Sequence, residues 1–373
     1  MLMGELSVVT GGDWVSAQQK FAPNAGDLRR YGSYELENPV LLAKPKDVPD
    51  NYVAYNPSAI WKVHERSGAA YDILYARVEP DRSDSESSHL GRSVVRPYML
   101  NLRNTDKQLS AYSGAQEYTG EDAALTRIRR RLPISGILED VWLLSYVDPK
   151  PKIDRPNEVA TLCTRFLAGS DLAKLEHIAD GPEWMKDIRL AQAGDPLGTK
   201  VVRYGRPQTK PDSGNITQAT LPEIIKLTPD TIADAPYVDE DLLPVGSGVW
   251  GGVNDIIRIG ATEYILAAHR AWRTGPDGHG RHYETVLYGH DIATNCIIEI
   301  GVLATADMFA GGCVKDDASV NLSDVVFTGG GYNGGLRCMT FGVSDANIGI
   351  AALRRTNKPK LRVTPENRRF ETK

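Results

Sequence analysis

The sequence predicts an all-β protein, and three observations carry that prediction. Gly and Pro number 35 and 22 in 373 residues and sit between short β-rich runs. Long amphipathic helical patterns are scarce, with only residues 170–177 and 222–226 reading as short helices. One pattern also recurs: a small polar residue, Asn or Asp, opens a short apolar strand, and a second strand follows after a turn.

The copies are Asn56-Pro-Ser-Ala-Ile-Trp61, Asp140-Val-Trp-Leu-Leu144, Asp187-Ile-Arg-Leu-Ala191, Asp255-Ile-Ile-Arg-Ile259 and Asp324-Val-Val-Phe-Thr328. Second strands are visible at 73–79, 200–205, 263–272 and 336–343. Repeated units of several strands suit a β-propeller, in which each blade is one unit, so five copies predict five blades. The whole chain, 1–373, is read as one five-bladed propeller domain. Residues 1–50 pack across it or close its last blade. Residues 100–135 read as an insertion, in which Arg127, Arg129, Arg130 and Arg131 mark a solvated loop or helix edge, or else a lid or oligomer contact. Residues 351–373 carry eight basic and two acidic side chains and read as a solvated basic tail.

Innermost strands of a propeller surround a central channel, so polar openers would ring one mouth. Asp and Asn also begin strands simply by satisfying turn amides. A single copy therefore says little, whereas five favour a shared funnel.

Composition narrows the function classes. The chain is 41% hydrophobic and 24% charged, which supports a packed core rather than disorder. Its 43 basic and 48 acidic residues give a net charge of −5, without a chain-wide basic footprint for nucleic acid. No apolar run approaches the roughly 18 residues of a membrane-spanning helix. The opening MLMGELSVVTGGDW has neither a basic n-region nor a long apolar stretch, so no signal peptide is expected. Cys163, Cys296, Cys313 and Cys338 are far apart, with no C-x-x-C. A soluble cytoplasmic protein without a disulfide framework is expected.

For chemistry, His279 and His282 lie in a Gly-rich turn without a partner cluster, and no metal site is expected. Neither G-x-S-x-G, nor a P-loop, nor a dinucleotide fingerprint occurs. Gly329-Gly-Gly-Tyr-Asn-Gly-Gly335 joins two strands and reads as a tight turn beside the mouth. Carboxylates and cations remain. Glu139-Asp140 precedes a buried-looking strand, and a carboxylic acid there can protonate a leaving oxygen. Inverting hydrolysis needs a second carboxylate about 6.5–9.5 Å away. Phosphorolysis needs cations instead, because phosphate is itself the nucleophile. Lys186, Arg189, Arg206, Arg281 and His282 all lie at or near repeat positions, although each alone reads equally as a structural charge. Arg77-Val-Glu79 is either an ion pair between blades or part of a sugar pocket. Trp184, Trp250 and Trp272 flank repeat elements, where aromatic faces suit sugars.

Several motifs stand together in order: Tyr55-Asn-Pro-Ser-Ala59, Ala76-Arg-Val-Glu79 with Asp84-Ser-Glu86, Met185-Lys-Asp-Ile-Arg-Leu190, Trp250-Gly-Gly-Val-Asn-Asp255, Gly280-Arg-His-Tyr283, Asp324-Val-Val-Phe-Thr-Gly-Gly330 and Gly342-Val-Ser-Asp345. Over residues 51–347 they resemble the mannosyltransferase/phosphorylase family, glycosyltransferase family 108, a relative of the β-mannoside phosphorylases of glycoside hydrolase family 130. The resemblance implies a five-bladed propeller acting on β-1,2-linked mannosides. It implies inverting cleavage by inorganic phosphate to α-mannose 1-phosphate, or the reverse synthesis; some members use GDP-mannose as donor. Phosphate is then a co-substrate, and no other cofactor is implied. Partners are a small mannoside or mannose 1-phosphate, with a homo-oligomer left open.

The family's general acid is an aspartate opening the second blade, which maps onto Asp140. Phosphate binding maps onto Lys186, Arg206, Arg281 and His282, joined by the Tyr283 hydroxyl. The mannose is expected against Asn56, Arg77, Asp187, Asp255 and Asp324. The chain departs from its relatives at the second blade, where Glu139-Asp140-Val141-Trp142 replaces their Asp-Pro. Two alternatives stay open: a hydrolase on the same propeller with Glu79 or Glu86 as base, and a non-catalytic sugar-binding propeller.

Overall fold

The computed structural model describes residues 25–65, 67–81, 93–101, 108–131, 138–151, 153, 159–192, 201–207, 217–221, 249–274, 280–294, 296–315 and 321–356. Among these, helix α1 (Ala25–Tyr31) leads into strand β1 (Ser33–Leu41), and twenty more strands follow. The fold is all-β, as the sequence predicts.

The strands form antiparallel arrays in chain order. In the first, β2 (Tyr52–Tyr55) and β3 (Trp61–His64) both pair with β4 (Ala70–Pro80). Beyond it lie β5 (Val94–Leu100), then β6 (Leu109–Ala111) and β7 (Tyr118–Thr119). The second runs β8 (Glu121–Arg131), β9 (Leu138–Pro151), β10 (Val159–Gly169), β11 (Glu176–Asp180). The third runs β12 (Met185–Gln192), β13 (Val201–Pro207), β14 (Thr217–Leu221). The fourth runs β15 (Val249–Arg258), β16 (Glu263–Thr274), β17 (Gly280–Asp291), β18 (Cys296–Ala304). The fifth runs β19 (Asn321–Tyr332), β20 (Gly335–Val343), β21 (Asn347–Thr356) and ends on β1. A parallel contact between β17 and β19 joins the fourth and fifth.

The core lies between arrays rather than inside one. Ile73, Tyr75 and Val95 pack on Leu125, Trp142 and Leu144. Ile128, Val141 and Phe166 pack on Met185, Ile188 and Leu190. Val202 and Tyr204 meet Val253, Tyr264 and Leu266. Ile265 and Leu287 meet Val326, Met339 and Phe341. Ile348 and Ile350 return to Ala54, Ile60 and Leu74 of the first array. Each such side chain contributes about 1.5–3 kcal/mol when fully buried, and the five interfaces together close a ring. This explains runs such as Ile265-Leu-Ala-Ala268, buried throughout because both faces of the strand are covered. The first strands of successive arrays meet one another, β8 with β12, β12 with β15 and β15 with β19, and Ile60 bridges to Tyr332 of β19. The arrangement is propeller-like, with the first strands innermost.

Three local expectations are corrected. Of residues 100–135, expected as an insertion, the described stretch 108–131 supplies β6 and β7 to the first array and begins the second with β8. Residues 170–177 form only a 3-10 turn, Leu172–Lys174, capped by the Asp171 side chain, before β11 starts. Of the expected basic tail, 351–356 belong instead to β21, where Arg354 and Arg355 pair in register with Glu35 and Tyr34 of β1. Residues 222–226 and 357–373 lie outside the described residues. Of the two fates considered for the N-terminal part, β1 takes the second and completes the last array.

Candidate active site

The innermost strands of the first four arrays are each interrupted. Asn56 lies in the gap between β2 and β3, and register shifts fall at Glu121/Ala124 in β8, Lys186/Arg189 in β12 and Val253/Asp255 in β15. Asn56, Asp122 and Asp187 adopt φ of 44°, 48° and 51° there. Asn and Asp tolerate this left-handed backbone better than most residues, and a bulge re-aims the side chain it carries. Gly342 makes room for the first of them, since a Cβ on it would meet the Asn56 Oδ1 at 2.2 Å.

One half of the resulting cluster is rich in carboxylates. Asn56 Nδ2 donates to Asp122 Oδ1 at 2.9 Å, and Arg77 Nη1 reaches the same oxygen at 3.4 Å. Arg77 Nη2 lies 3.0 Å from Glu121 Oε1 and 2.6 Å from Glu79 Oε2. Burial pushes the Asp122 carboxyl up. Arg77, Lys186, the Asn56 hydrogen bond and Arg189 outweigh that and hold it below the usual range. Asp345, in the β20–β21 turn with φ 49°, is pushed up by burial, against the pull of Lys315 and Arg77 and with the help of Asp122. Asp255 accepts backbone N–H groups on both oxygens, from Ile256 at 2.9 Å and Gly331 at 2.8 Å. Burial nevertheless raises it to about 6.

The other half is cationic. Lys186 and Arg206 face each other across the β12–β13 ladder. Lys186 Nζ is 3.6 Å from Glu121 Oε2, and Arg206 Nη1 is 3.2 Å from Asp187 Oδ2. Asp187 also holds Arg189, whose guanidinium donates to the Asp122 carbonyl at 3.0 Å and the Asn254 carbonyl at 3.2 Å, tying three arrays together. Arg281 and Tyr283 come from β17; Arg281 is felt electrostatically by both Tyr283 and Asp345. The Tyr283 hydroxyl accepts from Trp250 Nε1 at 3.1 Å.

His269 lies beneath this half, stacked on Tyr283 at 5.7 Å. Asn254 Oδ1 accepts both the His269 backbone N–H and its Nδ1, so Nε2 is the acceptor that faces Arg206 Nη1 at 3.4 Å. Burial, then Arg206, push His269 well below the usual histidine range and keep it neutral. Among the described residues, the buried Nε atoms of Arg206 and Arg281 have no hydrogen-bond partner. Unsatisfied charged donors beside a carboxylate pocket can hold an anion next to a polyhydroxylated ligand.

Residues 46–354 match a family described as "Protein of unknown function (DUF1861)". The chain belongs to the DUF1861 family. No curated protein matches this DUF1861 chain. Its structure is similar to that of a mannose phosphorylase from Leishmania mexicana in complex with phosphate ion, at 20% identity over 92% of this chain and 94% of that one, TM-score 0.67. A GDP-Man-dependent mannosyltransferase from the same organism gives 20% identity, 92% and 95% coverage and a TM-score of 0.65. A glycosyl hydrolase from Bacteroides ovatus gives 12%, 92% and 99%, and 0.52. The resemblance read from the motifs thus holds at the level of the fold.

Of the residues singled out in the DUF1861 sequence, the structure brings together Asn56, Arg77, Lys186, Asp187, Arg206 and Tyr283, with Arg281 and Asp255 adjoining. It places three elsewhere. Asp140 lies on β9, the second strand of its array, where its exposed carboxylate accepts from Arg129 Nε at 2.9 Å. The reason is that β8, inside the supposed insertion, is the innermost strand. His282 points to the opposite face of β17, against Trp272 at 4.0 Å, Asp324 and Glu284. Asp324 joins it there and is 44% exposed. Glu79 is enclosed by Lys315, Tyr55 and Arg77 and is not free to act as a base; Glu86 and His279 lie outside the described residues. Sequence reasoning missed Asp122, His269 and Lys315. A signal for the first was present, since Gly120-Glu-Asp122 opens a strand with an acidic residue as the other copies do.

Proposed function

We propose that this DUF1861 protein is an inverting β-mannoside phosphorylase on a five-bladed propeller, with β-1,2-linked mannosides as substrates and α-mannose 1-phosphate as product. The observation that carries this is the pair of unpartnered guanidinium Nε donors, on Arg206 beside the Asp187 carboxylate and on Arg281 within electrostatic reach of Asp345. Its similarity to a mannose phosphorylase bound to phosphate and to a mannosyltransferase supports the same class of chemistry. The five arrays are then the blades.

In this reading Lys186, Arg206, Arg281 and the Tyr283 hydroxyl hold phosphate, while Asn56, Arg77, Asp255 and Asp345 surround the mannosyl ring. Asp122 takes the acid role that the resemblance gave to an aspartate opening the second blade. Before phosphate binds, Lys186 helps keep Asp122 ionised. A phosphate dianion offsets that charge and favours the protonated acid, so the acid is armed only when the nucleophile is present. The glycosidic C–O bond breaks as the phosphate oxygen bonds to the anomeric carbon from the opposite face. The Asp122 proton passes to the leaving oxygen, directly or through a sugar hydroxyl, and Asp122 is reprotonated from solvent. Neutral His269 fixes Arg206 without competing for phosphate.

The test is incubation with β-1,2-mannobiose, with and without inorganic phosphate. Phosphate-dependent α-mannose 1-phosphate is the expected result. Equal mannose release without phosphate would make the protein a hydrolase. Transfer only from GDP-mannose would move it to the nucleotide-sugar reaction.

A further inference from the structure

Glu79 is 1% exposed and carries more donors than a structural ion pair requires. Its Oε2 takes Arg77 Nη2 at 2.6 Å and Nε at 2.9 Å. Its Oε1 takes the Tyr55 hydroxyl at 2.5 Å and the Lys315 ammonium. Lys315 is itself buried, with Nζ 4.9 Å from the centre of the Tyr55 ring. It arrives from the other end of the chain, and its backbone N–H donates to the Ser344 carbonyl at 3.1 Å. Ser344 and Asp345 form the left-handed β20–β21 turn, with φ of 54° and 49°. Lys315 therefore spans the seam between the first and fifth arrays, directly behind the site.

The charge arrangement gives this lysine a task. Arg77 is shared between a buried carboxylate, Glu79, and two site-facing ones, Glu121 at 3.0 Å and Asp122 at 3.4 Å. A guanidinium beside an uncompensated buried carboxylate is drawn toward it, because that carboxylate is poorly solvated. With Lys315 on Glu79, the buried charge is compensated and the outer nitrogens of Arg77 stay on Glu121 and Asp122. We propose that Lys315 is a positioning residue, acting through Glu79 to hold Arg77 against Asp122 and so fix the sugar-side carboxylate. The proposal deepens the phosphorylase reading and rests on it. It places the decisive contact outside the anion-binding cations.

The experiment compares full-length wild type with Lys315→Met, Lys315→Arg, Glu79→Gln and the Lys315→Met/Glu79→Gln pair. For each, kcat and the KM for phosphate are measured with β-1,2-mannobiose, mannose affinity by calorimetry and folding by thermal unfolding. A displaced positioning contact lowers kcat by about 100-fold while the KM for phosphate changes less than about 3-fold. Mannose affinity falls as well. Lys315→Arg restores kcat to within about 10-fold, because the charge on Glu79 returns. The double variant is more active than Lys315→Met alone, since no uncompensated carboxylate then pulls Arg77 inward.

Unchanged kcat and mannose affinity in folded Lys315→Met would overturn the proposal and leave the phosphorylase reading intact. So would a loss in the KM for phosphate equal to the loss in kcat. If Lys315→Met does not fold, Lys315→Arg and the double variant decide it: a folded double variant with kcat still lowered by about 100-fold, although no carboxylate is left to draw Arg77 inward, overturns the relay. A wild type without phosphate-dependent turnover sinks the phosphorylase reading, and mannose affinity alone then tests Lys315. A wild type that also fails to bind mannose overturns both.

Discussion

Strand β17 sends alternate side chains into two charged regions. Arg281 and Tyr283 face the cluster with Asp122 and Lys186, whereas His282 and Glu284 face the other way. On that second face Arg270 Nε donates to Glu284 at 2.7 Å and Nη1 to Glu299 at 2.8 Å, and His282 lies between Asp324 and Glu284. Its buried charges meet opposite charges from the same fold. Across the sheet, by contrast, the Nε atoms of Arg206 and Arg281 are left without a partner among the described residues. The difference teaches how to tell a structural network from a candidate binding site: residue types are alike on both faces, but only the first leaves buried guanidinium Nε atoms without a partner among the described residues.

The strongest way to break this comparison is to remove the acid. Asp122→Asn is expected to lower phosphorolysis by about 1,000-fold or more, within the range of general-acid contributions, with mannose binding retained. Near-normal turnover would remove Asp122 from the mechanism. On the opposite face, Arg270→Met leaves Glu284 and Glu299 buried without their cation. Thermal or denaturant unfolding should show a loss of about 3–5 kcal/mol, with the KM for phosphate unchanged in whatever remains folded. A stable Arg270→Met with impaired phosphate binding would reverse the assignment of the two faces.

Arg281→Met should instead raise the KM for phosphate by about 10–100-fold, the usual range for one hydrogen bond to a charged group, and leave the unfolding midpoint near wild type. His282 offers a pH test. Burial lowers its proton affinity, but hydrogen bonds to Asp324 and Glu284 outweigh burial and raise it above the usual value. A raised folded value means the network contributes most below the unfolded value of about 6.5 and loses that contribution as pH rises through the folded value. The stability gap between wild type and His282→Gln should therefore be widest at acid pH and narrow on going basic. A gap independent of pH would mean His282 is neutral. The smallest effect is expected at the exposed Asp140–Arg129 pair: Asp140→Asn should leave both turnover and the unfolding midpoint unchanged.

Much of the site was legible as a pattern of openers. Asn56, Asp187 and Asp255 fall at interrupted innermost strands, Lys186 and Tyr283 stand in the ordered motifs, and Arg206 follows from its place near a repeat and from the resemblance. Asp140 did not, because residues 121–131 lack clean alternation. The run Leu125-Thr-Arg-Ile-Arg-Arg-Arg131 reads as a solvated edge, yet Leu125 and Ile128 are buried between neighbouring arrays. His282 stands beside Tyr283 in a motif, whereas no motif marks His269. Strand alternation turns neighbours to opposite faces, and it is His269, two positions from Ala271, the Tyr283 partner, that stacks beneath the site.

The sequence by itself determined that this protein is all-β and built of repeated strand units, because turn residues and short apolar runs act locally. It also determined which residue types were available for anion and sugar chemistry. Only the tertiary structure decided which strand of each array lies innermost, and that β1 completes the array begun by β19. It alone decided that Lys315 reaches Glu79 across 236 residues. These are consequences of packing between arrays, where burial and charge pairing join residues that no local pattern relates.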